Sequence, residues 1–151
     1  MNERNENEIV NSQNEKVDAA PQTLVEFLLS NDIIGIEKEV DIGGRLKGFK
    51  FKIKPMNNKE FGEAQKQSFS IMKKKASFDQ RRFFEIVILN NCLYPNFRDA
   101  AFISKCGVVT PEACLNKVLL AGEISDLAQA IISLSGFDND IESDIEDVKN
   151  S

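Results

Sequence analysis

Residues 78–95 read FDQRRFFEIVILNNCLYP, and whether they form a helix or a strand decides the class of fold. From Phe83 to Leu89 only Glu85 is polar. A fully buried strand and a buried helix can both show such a run. Length separates them. Asp79 can cap a helix start, and the distance from there to Asn91 exceeds an ordinary strand of about five or six residues. The stretch predicts a central, largely buried helix over 79–91.

Working upstream, Asn57 with Glu60 three residues on is a helix start. It leads into a helix predicted over 58–75, with Phe61, Ala64, Phe69 and Met72 toward the core. Gly62 weakens that helix by roughly 1 kcal/mol relative to Ala, and Lys73-Lys74-Lys75 would complement its C-terminal dipole. Before it lies a two-strand pattern. Ile36, Val40 and Ile42 share a side, Gly43-Gly44 can supply the positive φ of a tight turn, and the return strand alternates. Phe49, Phe51 and Ile53 point inward, Lys50, Lys52 and Lys54 outward, until Pro55 ends the strand. Thr23-Leu-Val-Glu26 is a capping box opening a short helix with Leu24, Phe27 and Leu28 on one side.

Downstream, Asn96 begins a short helix through Lys105, stopped by Gly107. Thr110-Pro111-Glu112 combines an N-cap, a proline at the first helical position and an acid at the positive dipole end. Cys114, Leu115, Val118 and Leu119 stripe that helix, and Gly122 breaks it. The last helix carries Ile124, Leu127, Ala128, Ile131 and Ile132 at i, i+3, i+4, i+7 and i+8. It ends at Gly136, with Phe137 able to fold back onto Ile132. The fold class is α+β, mainly α-helical, with one N-terminal β-hairpin packed on a helical bundle.

Both ends differ from this middle. Residues 1–22 hold only Ile9, Val10 and Val17 as sizeable apolar groups beyond the initiator Met, too few to offset ordering entropy, and predict a disordered arm. Residues 138–151 (DNDIESDIEDVKNS) set six acids against one lysine. They predict an acidic tail whose Ile141, Ile145 and Val148 could form a helical stripe only against a partner. The folded domain is then 23–137.

Composition narrows the chemistry. The 151 residues contain no histidine, which removes His-dependent triads, the usual zinc sites and the commonest general base. Cys92, Cys106 and Cys114 form no CxxC pair and read as small buried thiols in a reducing compartment. The glycines of the hairpin lack the strand–loop–helix setting of a phosphate cradle. Acids are densest in the tails, where burial cannot raise a pKa to a catalytic value. No catalytic, metal or cofactor-binding residue is expected. No stretch approaches the roughly 20 apolar residues of a membrane span, and the first twenty residues lack the apolar run of a signal peptide. These features describe a soluble, intracellular, non-enzymatic protein.

Charge is uneven. Residues 41–82 carry twelve Lys/Arg and four Asp/Glu, a net of +8, and the rest of the chain carries −13, giving −5 overall. Such asymmetry favours specific or self-complementary contacts, self-association included. Arg45, Lys47, Lys50, Lys52 and Lys54 with Phe49 and Phe51 also resemble a nucleic-acid stacking platform, so a small nucleic-acid-binding regulator using strand 45–54 is the alternative function. Alternation puts the rings opposite Lys50, Lys52 and Lys54, and the overall negative charge weakens attraction to phosphate.

The stretch Leu119-Leu-Ala-Gly-Glu-Ile-Ser-Asp-Leu-Ala-Gln-Ala-Ile-Ile-Ser-Leu-Ser-Gly-Phe137 resembles the C-terminal segment of the XkdN-like phage tail assembly chaperones. Asn91-Cys-Leu-Tyr-Pro-Asn-Phe-Arg-Asp-Ala100 is similar to that family's turn into its middle helix. The order of Thr23-Leu-Val-Glu-Phe27, a hairpin, and Phe51-Lys-Ile-Lys-Pro55 before a long helix matches as well. The likeness spans about 23–137. It implies a non-enzymatic role in building the tail of a phage or phage-derived bacteriocin. The partners it implies are the tape measure protein, kept soluble in the host cytoplasm, and the tail tube protein brought to it. The chaperone is then absent from the finished tail. For the partner-binding surface, Leu120, Ile124 and Phe137 lie at element ends, where side chains reach the surface and could line a groove for an amphipathic helix. The basic face at Lys50, Lys52 and Lys54 is the second candidate.

Overall fold

The computed structural model describes residues 22–137. The readings of 1–22 as a disordered arm, but for Gln22, and of 138–151 as an acidic tail lie outside the described residues. Those described fall into two units, divided between Gly35 and Ile36.

The first unit holds helix α1 (Leu24–Ser30). Its capping box is formed: the Glu26 N–H donates to Thr23 Oγ1 at 3.1 Å, and the Thr23 N–H to Glu26 Oε1 at 2.8 Å. None of its residues is buried.

The second unit opens with β1 (Lys38–Val40), a 3₁₀ turn (Gly44–Leu46) and β2 (Phe51–Ile53). The two strands pair antiparallel, Lys38 opposite Ile53 and Val40 opposite Phe51. A tight Gly43-Gly44 turn does not join them. Asp41 instead accepts the Gly43 N–H on Oδ1 and the Gly48 N–H on Oδ2, both at 2.8 Å, and organises a longer connection around itself. Gly43, Gly44 and Gly48 all take positive φ there. The excursion at Gly48 interrupts the alternation, so Phe51 and Ile53 are buried while Phe49 is 68% exposed. Phe49 was expected inward, but regular pleating starts only at Phe51.

Helix α2 (Asn58–Gln67) has the expected Asn57/Glu60 capping box but ends eight residues earlier than predicted. Buried Ser68 donates its hydroxyl back to Ala64 O at 2.7 Å, and its own carbonyl accepts the Asp79 N–H at 2.8 Å. Between those two residues the chain makes a hairpin, β3 (Phe69–Met72) and β4 (Lys75–Phe78). Lys73 and Lys74 form its two-residue turn at φ 52° and 65°, the doubly positive geometry that suits the twist of a hairpin. Lys73-Lys74-Lys75 therefore does not sit at a helix C-terminus, and Phe69 and Met72 are exposed rather than core.

Helix α3 (Gln80–Asn91) is the centre of the unit. Asp79 caps it by accepting the Arg82 N–H at 3.1 Å, and Phe83, Ile86, Val87, Ile88 and Leu89 are buried. Its end turns into β5 (Cys92–Tyr94), which adds to β2 and gives a three-stranded antiparallel sheet in the order β1-β2-β5. The expected hairpin is thus two strands of a larger sheet. Lys54 ties sheet to helix, its N–H donating to Asn91 O at 3.0 Å and its Nζ to Asn91 Oδ1 at 3.2 Å.

Helix α4 (Ala100–Lys105) starts from Asp99, while Asn96 makes the turn before it, accepting the Arg98 N–H at 3.0 Å. Helix α5 (Pro111–Val118) has Thr110 as its cap and proline at its first position. Helix α6 (Ala121–Leu134) begins earlier than predicted. The break falls at Leu119 and Leu120, both in extended backbone, and Gly122 lies inside the first turn. Gly136 at φ 101° ends it, and the Phe137 N–H donates to Ile132 O at 3.3 Å. Helix α6 packs along α3, and Val87, Ile88, Leu115, Leu127 and Ile131 are fully shielded.

Candidate protein-binding surface

The corner between α5 and α6 is built from a distance. Arg45, on the 3₁₀ turn, donates through Nη2 to Val118 O at 2.9 Å and to Glu123 Oε1 at 2.8 Å, and its Nε sits 2.8 Å from Glu123 Oε2. Glu123 also accepts the Leu120 N–H at 2.8 Å. The Val118 carbonyl at the end of α5 and the Leu120 amide at the start of α6 are thereby satisfied. That backbone N–H, and then Arg45, hold the Glu123 carboxyl below its ordinary range.

Beside this corner lies a groove of about 460 Å³ between α3, α5 and α6. Phe84, Leu119 and Ile124 give it an apolar floor, Gln80, Arg81, Asn116 and the exposed Ala121 its rim, and the nearly buried Glu85 also lines it. The rim is held in place. Asn116 Nδ2 donates to Glu85 Oε2 at 2.8 Å, and Arg82 reaches Glu112 Oε2 at 3.3 Å. Glu112 is held low by its own backbone N–H and then by Arg82. A second hollow of about 370 Å³, beside the start of α2, is lined mainly by polar side chains such as Asn57, Glu60 and Asn90.

Of the residues expected to form one groove, only Ile124 lines this one, and it is a nearly buried part of the floor. Leu120 is 60% exposed at the start of α6. Phe137 lies beyond its far end, about 20 Å away along a 14-residue helix. The three do not share a surface. Phe137, half exposed, folds back so that its N–H reaches Ile132 O, and its ring lies against Phe61 of α2 with centroids 4.6 Å apart. Phe84 and Leu119 were the floor residues missed. In the run 83–89, apolar but for Glu85, nothing marks Phe84 as the outward ring, and Leu119 reads as part of a continuous stripe.

The basic face is largely engaged. Lys52 pairs with Glu37 at 3.1 Å, and Lys54 lies 3.8 Å from Glu60 besides its bond to Asn91. Lys50 makes no ion pair with another described residue. Burial pushes the Cys92 thiol up to about 12 and that of Cys114 up to about 11, leaving both protonated and poor nucleophiles at neutral pH. Among the described residues no group of three or more His, Cys, Asp or Glu is placed to hold a metal. No helix among them is long and apolar enough to cross a membrane.

The profile of the phage XkdN-like tail assembly chaperones matches residues 24–149. The chain belongs to that family. It is 24% identical over 106 residues to the protein XkdN of the phage-like element PBSX of Bacillus subtilis strain 168, a match covering 66% of this chain and 72% of that protein. A crystal structure of the protein YqbN superposes with a TM-score of 0.59 at 22% identity, covering 79% of this chain and all of that one, and shows a shared fold. The family's role is the assembly of phage tails, and the family match runs past Phe137 into the acidic segment.

Proposed function

We propose that this chaperone holds the tape measure protein of a phage or phage-like element in soluble form in the host cytoplasm. It helps bring tail tube subunits to that protein and leaves before the tail is complete. The observation that carries the reading is the apolar-floored groove between α3, α5 and α6. A long amphipathic helix exposes more contiguous apolar surface than a soluble protein tolerates. A groove with Phe84, Leu119 and Ile124 on its floor suits anchors at i, i+3 and i+4 of such a helix. Several copies along one long client would add weak contacts into firm retention.

The test is co-expression of tape measure fragments with the parent chain and with Phe84→Ala, Leu119→Ala, Leu120→Ala or Phe137→Ala. Truncating an anchor should cost about 2 kcal/mol or more of binding, so the first two variants, checked as folded by circular dichroism, should leave the fragments insoluble. If they solubilise the fragments as the parent does, the groove is not the site. Loss with Leu120→Ala or Phe137→Ala instead would move it to one end of α6.

A further inference from the structure

The β3–β4 hairpin is amphipathic with its apolar side open. Its register sets Phe69 opposite Phe78 and Ile71 opposite Ala76. Those four side chains share one face, while Ser70, Ser77, Met72 and Lys75 share the other. All are exposed, Phe69 at 53% and Ile71 at 77%. A two-stranded hairpin is marginal in water on its own and needs its apolar face covered.

The face is also the end of an aromatic row. Ring centroids step from Phe137 to Phe61 (4.6 Å), Phe83 (5.8 Å), Phe78 (5.5 Å) and Phe69 (5.3 Å). The segment that follows Phe137 in sequence therefore starts at one end of this row. Four extended residues from Phe137 to Ile141 reach about 13 Å and a helix from Ile141 to Val148 about 10 Å more, enough to cover the row, and fourteen residues are present in 138–151. At the other end, Lys73, Lys74 and Lys75 crown the hairpin, and none pairs with a carboxylate of the described residues. Residues 138–151 offer six acids, with Ile141, Ile145 and Val148 at helical spacing among them.

We propose that residues 138–151 dock in cis on the apolar face of the β3–β4 hairpin. Ile141, Ile145 and Val148 meet Phe69, Ile71 and Phe78, and the acids meet Lys73, Lys74 and Lys75. Length, starting point, charge and apolar spacing all suit this occupant, and the reading stands independently of the client-binding groove.

Amide hydrogen exchange tests it on three proteins: the full chain, the chain stopped after Phe137, and a full-length variant carrying Glu142→Gln, Asp144→Asn, Glu146→Gln and Asp147→Asn. Docking raises the local opening free energy of the hairpin, so amides of 69–78 should exchange about tenfold faster in the shortened chain, with 83–89 of α3 unchanged as the control. The neutralised variant should fall between, and added salt should narrow its difference from the full chain. Identical rates at 69–78 in all three proteins overturn the proposal. So does protection that grows with protein concentration, which would assign the cover to a second copy.

Discussion

Arg45 and Glu123 are 78 positions apart, and that separation made their pairing invisible in sequence. Arg45 read as one more cation of a basic strand; the structure uses it to close the α5–α6 corner beside the groove. A consequence follows from the sign of the Glu123 shift. Its folded pKa lies below its ordinary 4.5, through the Leu120 N–H first and Arg45 next. Its contribution to stability is fully present above the unfolded value and is lost as pH falls through the folded one. Denaturation midpoints followed from pH 6 to pH 3 should drop less steeply for Glu123→Gln than for the parent, and the variant should be the less stable protein at pH 6. Glu26, Asp41 and Glu112 are also held low, so the slope should shrink without vanishing. An unchanged slope would mean that the corner does not depend on this charge.

At the scale of elements, the parts legible in sequence were those whose signals are local. The Thr23, Asn57, Asp79 and Thr110 caps, the buried run of α3 and the stripe of α6 needed no distant partner. What failed was the stretch after Gln67. A helical reading of 58–75 continued the apolar spacing through Phe69 and Met72, because no Gly or Pro marks the reversal and two lysines supply the positive φ. Ser68, bonded back to Ala64 and across to Asp79, is what ends the helix. Strand β5 was missed for a related reason: Cys92–Tyr94 is too short to show a period and exists only because β2 lies alongside. The two readings of 69–78 differ in energy. Were Met72 a core residue of a helix, Met72→Ala would cost about 2–5 kcal/mol. On the polar face of an exposed hairpin, at 70% exposure, it should stay within about 0.5 kcal/mol. Leu127→Ala, at a fully shielded position of α6, should show about 2–5 kcal/mol in the same urea titration.

For the whole molecule, charge is the property on which a tail assembly chaperone and a nucleic-acid binder would differ. The chain is −5 overall although residues 41–82 are +8, so a basic face could in principle still follow a phosphate backbone. In strand 45–54 three of the cations are already engaged. Arg45 is bound by Glu123, Lys52 by Glu37, and Lys54 by Asn91 with Glu60 nearby. Freeing Arg45 for phosphate would give up the contact that closes the corner, and freeing Lys54 its bond to Asn91. Each phosphate neutralised on duplex DNA contributes about 0.9 to the slope of log K against log salt. If Lys50, Lys52 and Lys54 all met phosphates, the Lys50→Ala/Lys52→Ala/Lys54→Ala variant would lose about 2.7 from that slope. With Lys52 and Lys54 engaged, and Lys50 alone of these three without an ion pair among described residues, the parent and the triple variant should differ by no more than about 1. Gel shifts with mixed-sequence duplex DNA from 20 to about 200 mM salt read the difference directly, and a loss near three contacts would give strand 45–54 to nucleic acid.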